Sequence, residues 1–213
     1  MKHIIFAAAL AAASMSAAHA DINGLYNTGI GASGSQDSHY SLLAASSDTP
    51  ISNILPYITD SGYPVGTWVP NSGDSKWITP TSNQAQSFDA SADGIYTYTL
   101  TFNLSGYNPA TAWFSGRLAS DNTVQVLLNS HNIGSANSYG NWTTFGASSG
   151  FISGLNTLQF VVTNEALSGG NPTGLRVEFR ESNVTAVPEA ETYAMLLSGL
   201  ALMGVVARRR RSK

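Results

Sequence analysis

Within residues 95–104 (IYTYTLTFNL), large apolar or aromatic side chains alternate with threonine and asparagine. Successive side chains of a β-strand point to opposite faces, so this alternation gives one apolar face and one polar face. A helix would scatter the same residues around its circumference. The segment therefore predicts a half-buried strand whose core-facing residues are Tyr96, Tyr98, Leu100, Phe102 and Leu104.

The same two-residue period recurs along the chain. It predicts strands over Thr123–Leu128, Thr157–Thr163, Gly174–Arg180 and Ala110–Leu118, with Ala112 and Phe114 facing inward, and weaker ones over His39–Leu43 and Val65–Val69. Turn-forming pairs separate the strands, and Asp121-Asn122 is predicted to form the tip of a hairpin. We therefore expect an all-β fold, an antiparallel β-sandwich or jelly roll.

The C-terminal end of the chain has three parts. Val187-Pro188-Glu189 precedes an uncharged run, Tyr193–Ala207, and then a basic cluster, Arg208, Arg209, Arg210 and Arg211. As a helix the uncharged run is about 22 Å long, shorter than the roughly 30 Å hydrocarbon core that a transmembrane helix crosses. The arginines predict a cytoplasmic C-terminus for this span. Pro188 favours an extended chain before it, which suits binding by a protease or transpeptidase.

The N-terminus has the layout of a secretory signal peptide. A short polar start precedes an apolar run over Ile4–Ala13, and Ala18 and Ala20 form an A-x-A cleavage site. We expect export by the Sec machinery and cleavage before Asp21. These boundaries divide the chain into a signal peptide at 1–20, an exported domain at 21–186 and a C-terminal signal at 187–213, with its transmembrane helix at 193–207.

Together the C-terminal parts resemble the PEP-CTERM sorting signal of Gram-negative bacteria, which the membrane enzyme exosortase recognises. Val187, Pro188 and Glu189 match the Val-Pro-Glu-Pro core of that family, while Ala190 stands where the family usually has a second proline. The resemblance implies an exported protein that is held transiently at the inner membrane and then sorted to the cell surface or extracellular matrix. Members are associated with exopolysaccharide and biofilm. An ordinary anchor that is never processed is the alternative interpretation.

Outside the two predicted signals the chain is acidic. Four basic residues oppose eleven acidic ones, which gives a net charge of −7. The sequence offers no basic patch to exchange for counterions, which argues against nucleic acid and acidic polymers as primary partners. The absence of cysteine excludes disulfides, a thiol nucleophile and cysteine-ligated zinc.

A second resemblance covers residues 88–179. The segments Thr101–Leu104, Ala112–Arg117, Gly154–Leu158 and Asn171–Val177 are similar, in this order, to galactose-binding-like jelly rolls, the fold of many carbohydrate-binding modules. Most of these residues are turn and core residues. The resemblance therefore implies a fold rather than a ligand.

Sugar binding needs an exposed aromatic ring beside planar hydrogen-bonding groups, because pyranose C–H faces stack on rings while amides, carboxylates and guanidinium groups bind hydroxyls. Trp77 and Trp142 lie in polar, loop-like sequence, and Tyr139 shortly precedes Trp142. We predict these three residues as a glycan-binding platform. Trp68 shares the first loop, and Trp113 lies opposite the inward face of its strand. Packing in a core is the competing interpretation for every tryptophan.

The sequence predicts no enzyme. His131 and Asp121 could form a triad with a serine, but no Gly-x-Ser-x-Gly elbow is present. Two carboxylate pairs could serve glycoside cleavage, although their spacing is typical of turns and strand edges: Asp89 with Asp93, and Glu178 with Glu181.

A zinc site has no support, because His39 and His131 are far apart in the sequence. A structural calcium ion is a minor hypothesis, since aspartate-rich loops supply the oxygen ligands that calcium prefers. Turn aspartates are the preferred interpretation of the four candidates, Asp60, Asp74, Asp89 and Asp93.

Three functions remain open at this point. The first is a non-enzymatic matrix or glycan-binding protein that is sorted by an exosortase. The second is a structural or adhesion protein without sugar affinity, and the third is a glycan-active enzyme.

Overall fold

The computed structural model describes residues 19–60, 65–187 and 190–211. Most of the predicted signal peptide, including Ala18, and the motif residues Pro188 and Glu189 lie outside this part of the chain. The elements are β1 (His19–Ala20), β2 (Ser41–Ala45), β3 (Tyr57–Ile58), β4 (Ile78–Thr79), β5 (Gly94–Asn103), β6 (Tyr107–Asp121), β7 (Thr123–Leu128), β8 (His131–Ala136), β9 (Thr143–Ala147), β10 (Leu155–Asn164), β11 (Gly174–Ala186) and α1 (Ala190–Arg211).

The strands form two antiparallel sheets. Sheet A has the order β3-β4-β11-β6-β9, and β1 also pairs with β11; sheet B has the order β2-β5-β10-β7-β8. The inner faces of both sheets meet in one apolar core. The predicted antiparallel β-sandwich is therefore confirmed.

Alternation along the strands fills this core. Every predicted inward residue of β5 is buried, as are Ala112 and Phe114 of β6. Phe145 on sheet A lies 5.7 Å from Phe160 on sheet B between ring centroids, in an edge-to-face arrangement. Phe114 contacts Phe145 in the same way at 5.8 Å. The Phe145–Phe160 pair joins the two sheets, and both pairs add to the stabilisation from burial alone.

Most of the predicted strands are confirmed, with longer bounds for β6 and β11. β2 begins two residues later than predicted. The strand predicted at Val65–Val69 is wrong, because the N–H of Trp68 donates to the carbonyl of Val65 and closes a turn. The hairpin predicted at Asp121-Asn122 is also wrong, because β6 belongs to sheet A and β7 to sheet B. These two residues link the sheets.

A loop, which we call the outer segment (residues 65–77), lies against the outer side of sheet A. Trp68, Trp77 and Ala119 of β6 form a second buried cluster there. The ring of Trp68 packs so tightly on Gly174 of β11 that a Cβ atom at this glycine would lie 2.9 Å from Cη2 of the indole. Positions of sheet A that would otherwise face solvent are therefore buried.

The C-terminal signal forms a helix, α1, which confirms the predicted helical tail with wider bounds than Tyr193–Ala207. Many of its described apolar side chains are exposed, among them Met195, Leu197 and Leu202. Within the described part of the chain, no helix combines the length and the apolarity required to cross a membrane. Just before the motif, the N–H of Val187 donates to the carbonyl of Gly106 at 2.9 Å.

Candidate ligand-binding face

The strand β6 presents polar and aromatic side chains on the outer side of sheet A. Because Phe114 and Leu118 point into the core, Trp113 and Arg117 point outward. Trp113 is 37% exposed. It lies four residues from Arg117, which is about 13 Å along a strand. We call the outward surface of Trp113, Arg117 and Trp142 the β6–β9 face.

Arg117 is held in place by an ion pair and a ring. Its Nε donates to Oε2 of Glu178 at 2.6 Å, and its Nη2 lies 2.6 Å from the same oxygen. The guanidinium carbon lies 4.1 Å from the centroid of the Trp142 ring. Charge-assisted hydrogen bonds and stacking of this kind preorganise an arginine for ligand hydroxyls.

Arg176 lies beneath this pair and is 1% exposed. Its guanidinium donates to the carbonyl oxygens of Val69 and Pro70, to the hydroxyl of Ser75 and to Glu178. Burial lowers the pKa of Arg176, and the neighbouring charge of Glu178 opposes that shift. The guanidinium carbon also lies 4.7 Å from the Trp142 ring centroid. Arg176 therefore fastens the outer segment to sheet A.

A cleft of about 300 Å³ opens at the end of β6, between the outer segment and the loops after β8 and β10. We call it the Trp68–Tyr139 cleft. Its polar lining is Thr67, Asp121, Asn122, Tyr139, Glu165 and Asn171, beside the indole of Trp68. Tyr139 is 39% exposed and forms the outer wall.

The carboxyl group of Asp121 is perturbed by its position in the cleft. Its side chain is nearly buried, at 6% exposure, and its Oδ2 accepts a hydrogen bond from the indole N–H of Trp68 at 2.7 Å. Burial raises the pKa of Asp121 to about 6, with a smaller contribution from the charge of Glu165, although the indole N–H acts in the opposite direction. Perturbed groups in clefts are candidates for functional sites.

The predicted glycan platform is not assembled as expected. Trp77 is fully buried and donates its indole N–H to the carbonyl of Val69, so its ring has no face for a sugar and this prediction is wrong. Trp142 is half-buried against the two guanidinium groups. Tyr139 lies in the cleft instead. Sequence reasoning did not assign Arg117 to the site, although its outward position on β6 was a usable signal.

The candidate catalytic groups do not converge. Asp121 precedes β7 and His131 follows it, so six strand residues, about 20 Å, separate them and no triad forms. Asp89 is buried and accepts hydrogen bonds from Ser46, Tyr96 and Asn164. In the pair of Glu178 with Glu181, Glu178 has a structural role, because it forms ion pairs with Arg117 and Arg176.

The four aspartates proposed for calcium are not brought together. Among the residues that the structure describes, no group of three or more acidic or histidine side chains could hold a metal ion. Asp60 and Asp74 are exposed. Asp93 accepts the backbone N–H of Ala166 at 2.8 Å. Asp89 and Asp93 instead accept hydrogen bonds from neighbouring protein groups.

A family model described as the PEP-CTERM protein-sorting motif matches residues 186–211. The match confirms the resemblance of the tail, and the apolar helix α1 fits the membrane-helix part of that motif. Comparison with curated proteins gave no match. The chain is thus an antiparallel β-sandwich followed by a PEP-CTERM sorting signal.

Solved carbohydrate-binding modules are among the structural neighbours. A family 11 module from Clostridium thermocellum, in complex with a β-1,3-1,4-mixed-linked tetrasaccharide, is 9% identical with a TM-score of 0.40, covering 82% of this chain and 99% of that one. A mutant of a family 29 module is 11% identical with a TM-score of 0.39, covering 80% and 92%. A PA14 sugar-binding domain from an RTX adhesin is 16% identical with a TM-score of 0.28; the match covers 46% of this chain and only 56% of that domain.

Proposed function

We propose that this protein is exported by the Sec machinery, held at the inner membrane by α1 and processed by an exosortase-type enzyme. It then acts at the cell surface or in the extracellular matrix, where the sandwich binds glycan such as exopolysaccharide. The mechanism is binding without catalysis. The sorting step is supported by the match at residues 186–211 and by the exposed apolar side chains of α1, such as Met195 and Leu197.

The β6–β9 face is the observation that carries the glycan proposal. Trp113 offers an exposed ring on the same strand face as Arg117, and Glu178 fixes the guanidinium through Nε and Nη2. Nη1 of Arg117 has no hydrogen-bond acceptor within the described ranges, so it is free to donate to a sugar hydroxyl. The ring of Trp142 stacks against the same guanidinium, 4.1 Å from its carbon. A ring and a fixed donor about 13 Å apart suit two non-adjacent units of one polymer chain.

Calorimetric titration of the detergent-solubilised full-length chain with the host's own exopolysaccharide tests this proposal. Saturable binding is expected, and Trp113→Ala is expected to weaken it by about tenfold or more, since stacked aromatic rings dominate such sites. Leu43→Ala is the matched control, because Leu43 is an exposed residue on the other sheet. Absence of heat from the unmodified protein, or equal loss in both variants, contradicts the assignment of this face.

A structural or adhesion role without sugar affinity is the second candidate. Sheet B favours it, because its five strands contain no Asp, Glu, Lys or Arg. Their outward residues include rows of threonine beside the exposed Leu43 and Ile95. An uncharged flat surface packs against a neighbouring protein without a desolvation penalty for ions.

A further inference from the structure

The Trp68–Tyr139 cleft has an unusual charge balance. Asp121 and Glu165 line it, and no lysine or arginine does. The basic side chains of the described sandwich are engaged or located elsewhere: Lys76 donates to the carbonyl of Gly31, Arg117 and Arg176 are paired with Glu178, and Arg180 lines a different pocket. The cleft is thus an anionic recess without an internal counter-ion.

The carboxylate of Asp121 in the cleft has one oxygen without a hydrogen-bond donor. Its Oδ2 is bound by the neutral indole N–H of Trp68, whereas its Oδ1 accepts no hydrogen bond from the residues that the structure describes. A nearly buried anion with one neutral donor is costly, because desolvation is not repaid by a cation. The raised pKa of Asp121 reflects this imbalance. A ligand that carries a positive charge would correct it.

Glu165 is held beside Asp121 by a specific contact. Its backbone N–H donates to Oδ1 of Asn122 at 2.8 Å, and its carbonyl oxygen accepts from Nδ2 of Asn171 at 2.9 Å. Trp68 and Tyr139 supply aromatic walls to the same recess. Carboxylates combined with aromatic rings favour an ammonium group.

The volume and the polar lining define the rest of the ligand. About 300 Å³ is the lower end of the range for small-molecule sites, which suits one sugar unit rather than a chain. The hydroxyl of Thr67 and the amide atoms that Glu165 does not use, Nδ2 of Asn122 and Oδ1 of Asn171, complement sugar hydroxyls. We propose that the Trp68–Tyr139 cleft binds a protonated amino sugar, with its ammonium group at Asp121 and Glu165 and its ring against Tyr139.

This inference rests in part on the proposed glycan-binding function, which it deepens by naming a sugar class and a site separate from the β6–β9 face. The test is titration of the full-length chain at pH 7 with a glucosamine tetramer and with its fully N-acetylated counterpart. The amino form is expected to bind at least about tenfold more tightly, the difference that one charge-assisted hydrogen bond provides. Equal affinities overturn the proposal.

Three variants and one small amine sharpen the test. Asp121→Asn and Glu165→Gln are expected to abolish most of the preference for the amino form, because each removes one carboxylate, and Tyr139→Ala is expected to weaken both sugars alike. Glu165 is exposed, so Glu165→Gln tests the site without disturbing the core. Retention of the full preference in Glu165→Gln overturns the assignment of the cleft. Cyclohexylamine has one ammonium group and a ring without hydroxyls, and its binding as tightly as the glucosamine tetramer overturns the sugar class. If the protein releases new reducing ends from the tetramer, it cleaves the glycan, and the proposal of binding without catalysis is wrong.

Acid provides an independent readout. As the pH is lowered from 7 to 5 the sugar amine gains protons while Asp121, whose pKa is about 6, is neutralised, so the preference for the amino form should pass through a maximum and decline towards pH 5. Glu165 and Tyr139 are the other titratable groups of the cleft, and Tyr139→Ala with Glu165→Gln separates their effects. The Asp121→Asn variant should still bind the host's exopolysaccharide, because the β6–β9 face is unchanged. If it does, while the preference for the amino sugar is absent in the unmodified protein, only the cleft proposal fails.

Discussion

Arg117 on β6 and Glu178 on β11 are cross-strand partners, and Nε and Nη2 of the arginine both lie 2.6 Å from Oε2 of the glutamate. The other oxygen of Glu178 accepts from Arg176 at 3.3 Å and from the hydroxyl of Ser75 at 2.8 Å. One carboxylate therefore positions an arginine at the ligand face and neutralises a second arginine inside the protein.

Replacing this carboxylate should be strongly destabilising. In Glu178→Gln the buried Arg176 loses its counter-ion, and breaking a buried pair by removing one partner costs about 3–5 kcal/mol. Urea denaturation measures the loss of unfolding free energy. Glu181→Gln is the control, because Glu181 is exposed on the same strand and should change stability by less than about 0.5 kcal/mol. Similar effects in both variants would contradict the proposed clamp.

Tryptophan substitutions should separate core from surface. Trp77→Ala removes a fully buried indole and its hydrogen bond, so we expect a loss of about 3–5 kcal/mol of stability. Trp113→Ala removes a partly exposed ring and should cost much less stability while reducing glycan binding. Thermal unfolding of both proteins checks this ordering. A stable Trp77→Ala protein that has lost glycan binding would restore the sequence prediction.

Asp121 should make the protein less stable as the pH rises. Its pKa is raised in the folded state from 3.8 to about 6, so the folded protein binds a proton more tightly than the unfolded chain. The stability from this group is complete below pH 4 and is lost as the pH rises through about 6; the loss approaches about 3 kcal/mol at pH 7.5. Asp121→Asn should therefore be the more stable protein at pH 7.5 and lose that advantage at pH 4. Denaturation curves at both pH values measure the difference, and a constant difference would refute the linkage.

Export should remove β1. The predicted cleavage before Asp21 deletes His19 and Ala20, which pair with Thr185 and Val184 of β11. N-terminal peptide mass spectrometry of the exported protein should find Asp21 first, and hydrogen exchange at residues 184–185 should be faster than in the uncleaved chain. A mature protein that begins at or before His19 would disprove this boundary.

Sorting should remove the tail. The exported protein is expected to lack residues 193–213, because the motif precedes a short apolar helix and a basic end. Changing Pro188 to alanine should leave the intact chain in the inner membrane fraction. Mass spectrometry of C-terminal peptides distinguishes the outcomes, and an intact C-terminus in the matrix fraction would show that processing does not occur.

The local sequence pattern predicts the β-sandwich, but it does not predict which residues on the outer face of sheet A are buried. Residues 96–104 alternate because one side of β5 faces the core, and that relation needs no knowledge of the rest of the chain. Ala119, Arg176 and Glu178 occupy outward positions of their strands yet are buried. They are covered by the outer segment, which is some 40 to 110 residues away in sequence. The alternation of residues within a strand cannot predict that a segment distant in sequence buries its outward face.

The misplacement of Trp77 has the same origin. Its polar neighbours suggested an exposed loop, but Asn71 binds the backbone N–H of Trp77 and Ser75 binds Glu178, so these polar groups fasten the loop to the sheet. The prediction of a hairpin at Asp121-Asn122, where the chain passes between sheets, is wrong for a related reason. Turn-forming residues show that the chain changes direction, while the sheet that receives the next strand depends on the whole core.

The hydrogen bond from Val187 to Gly106 limits how a sorting enzyme can approach this substrate. Only three residues separate the end of β11 at Ala186 from the start of α1 at Ala190, a length of about 10 Å when extended. An active site that grips the motif as an extended strand would therefore collide with the sandwich unless Val187 is first released from Gly106. If the tail is processed as proposed, the end of β11 has to fray before cleavage, and the stability of the folded domain then opposes processing.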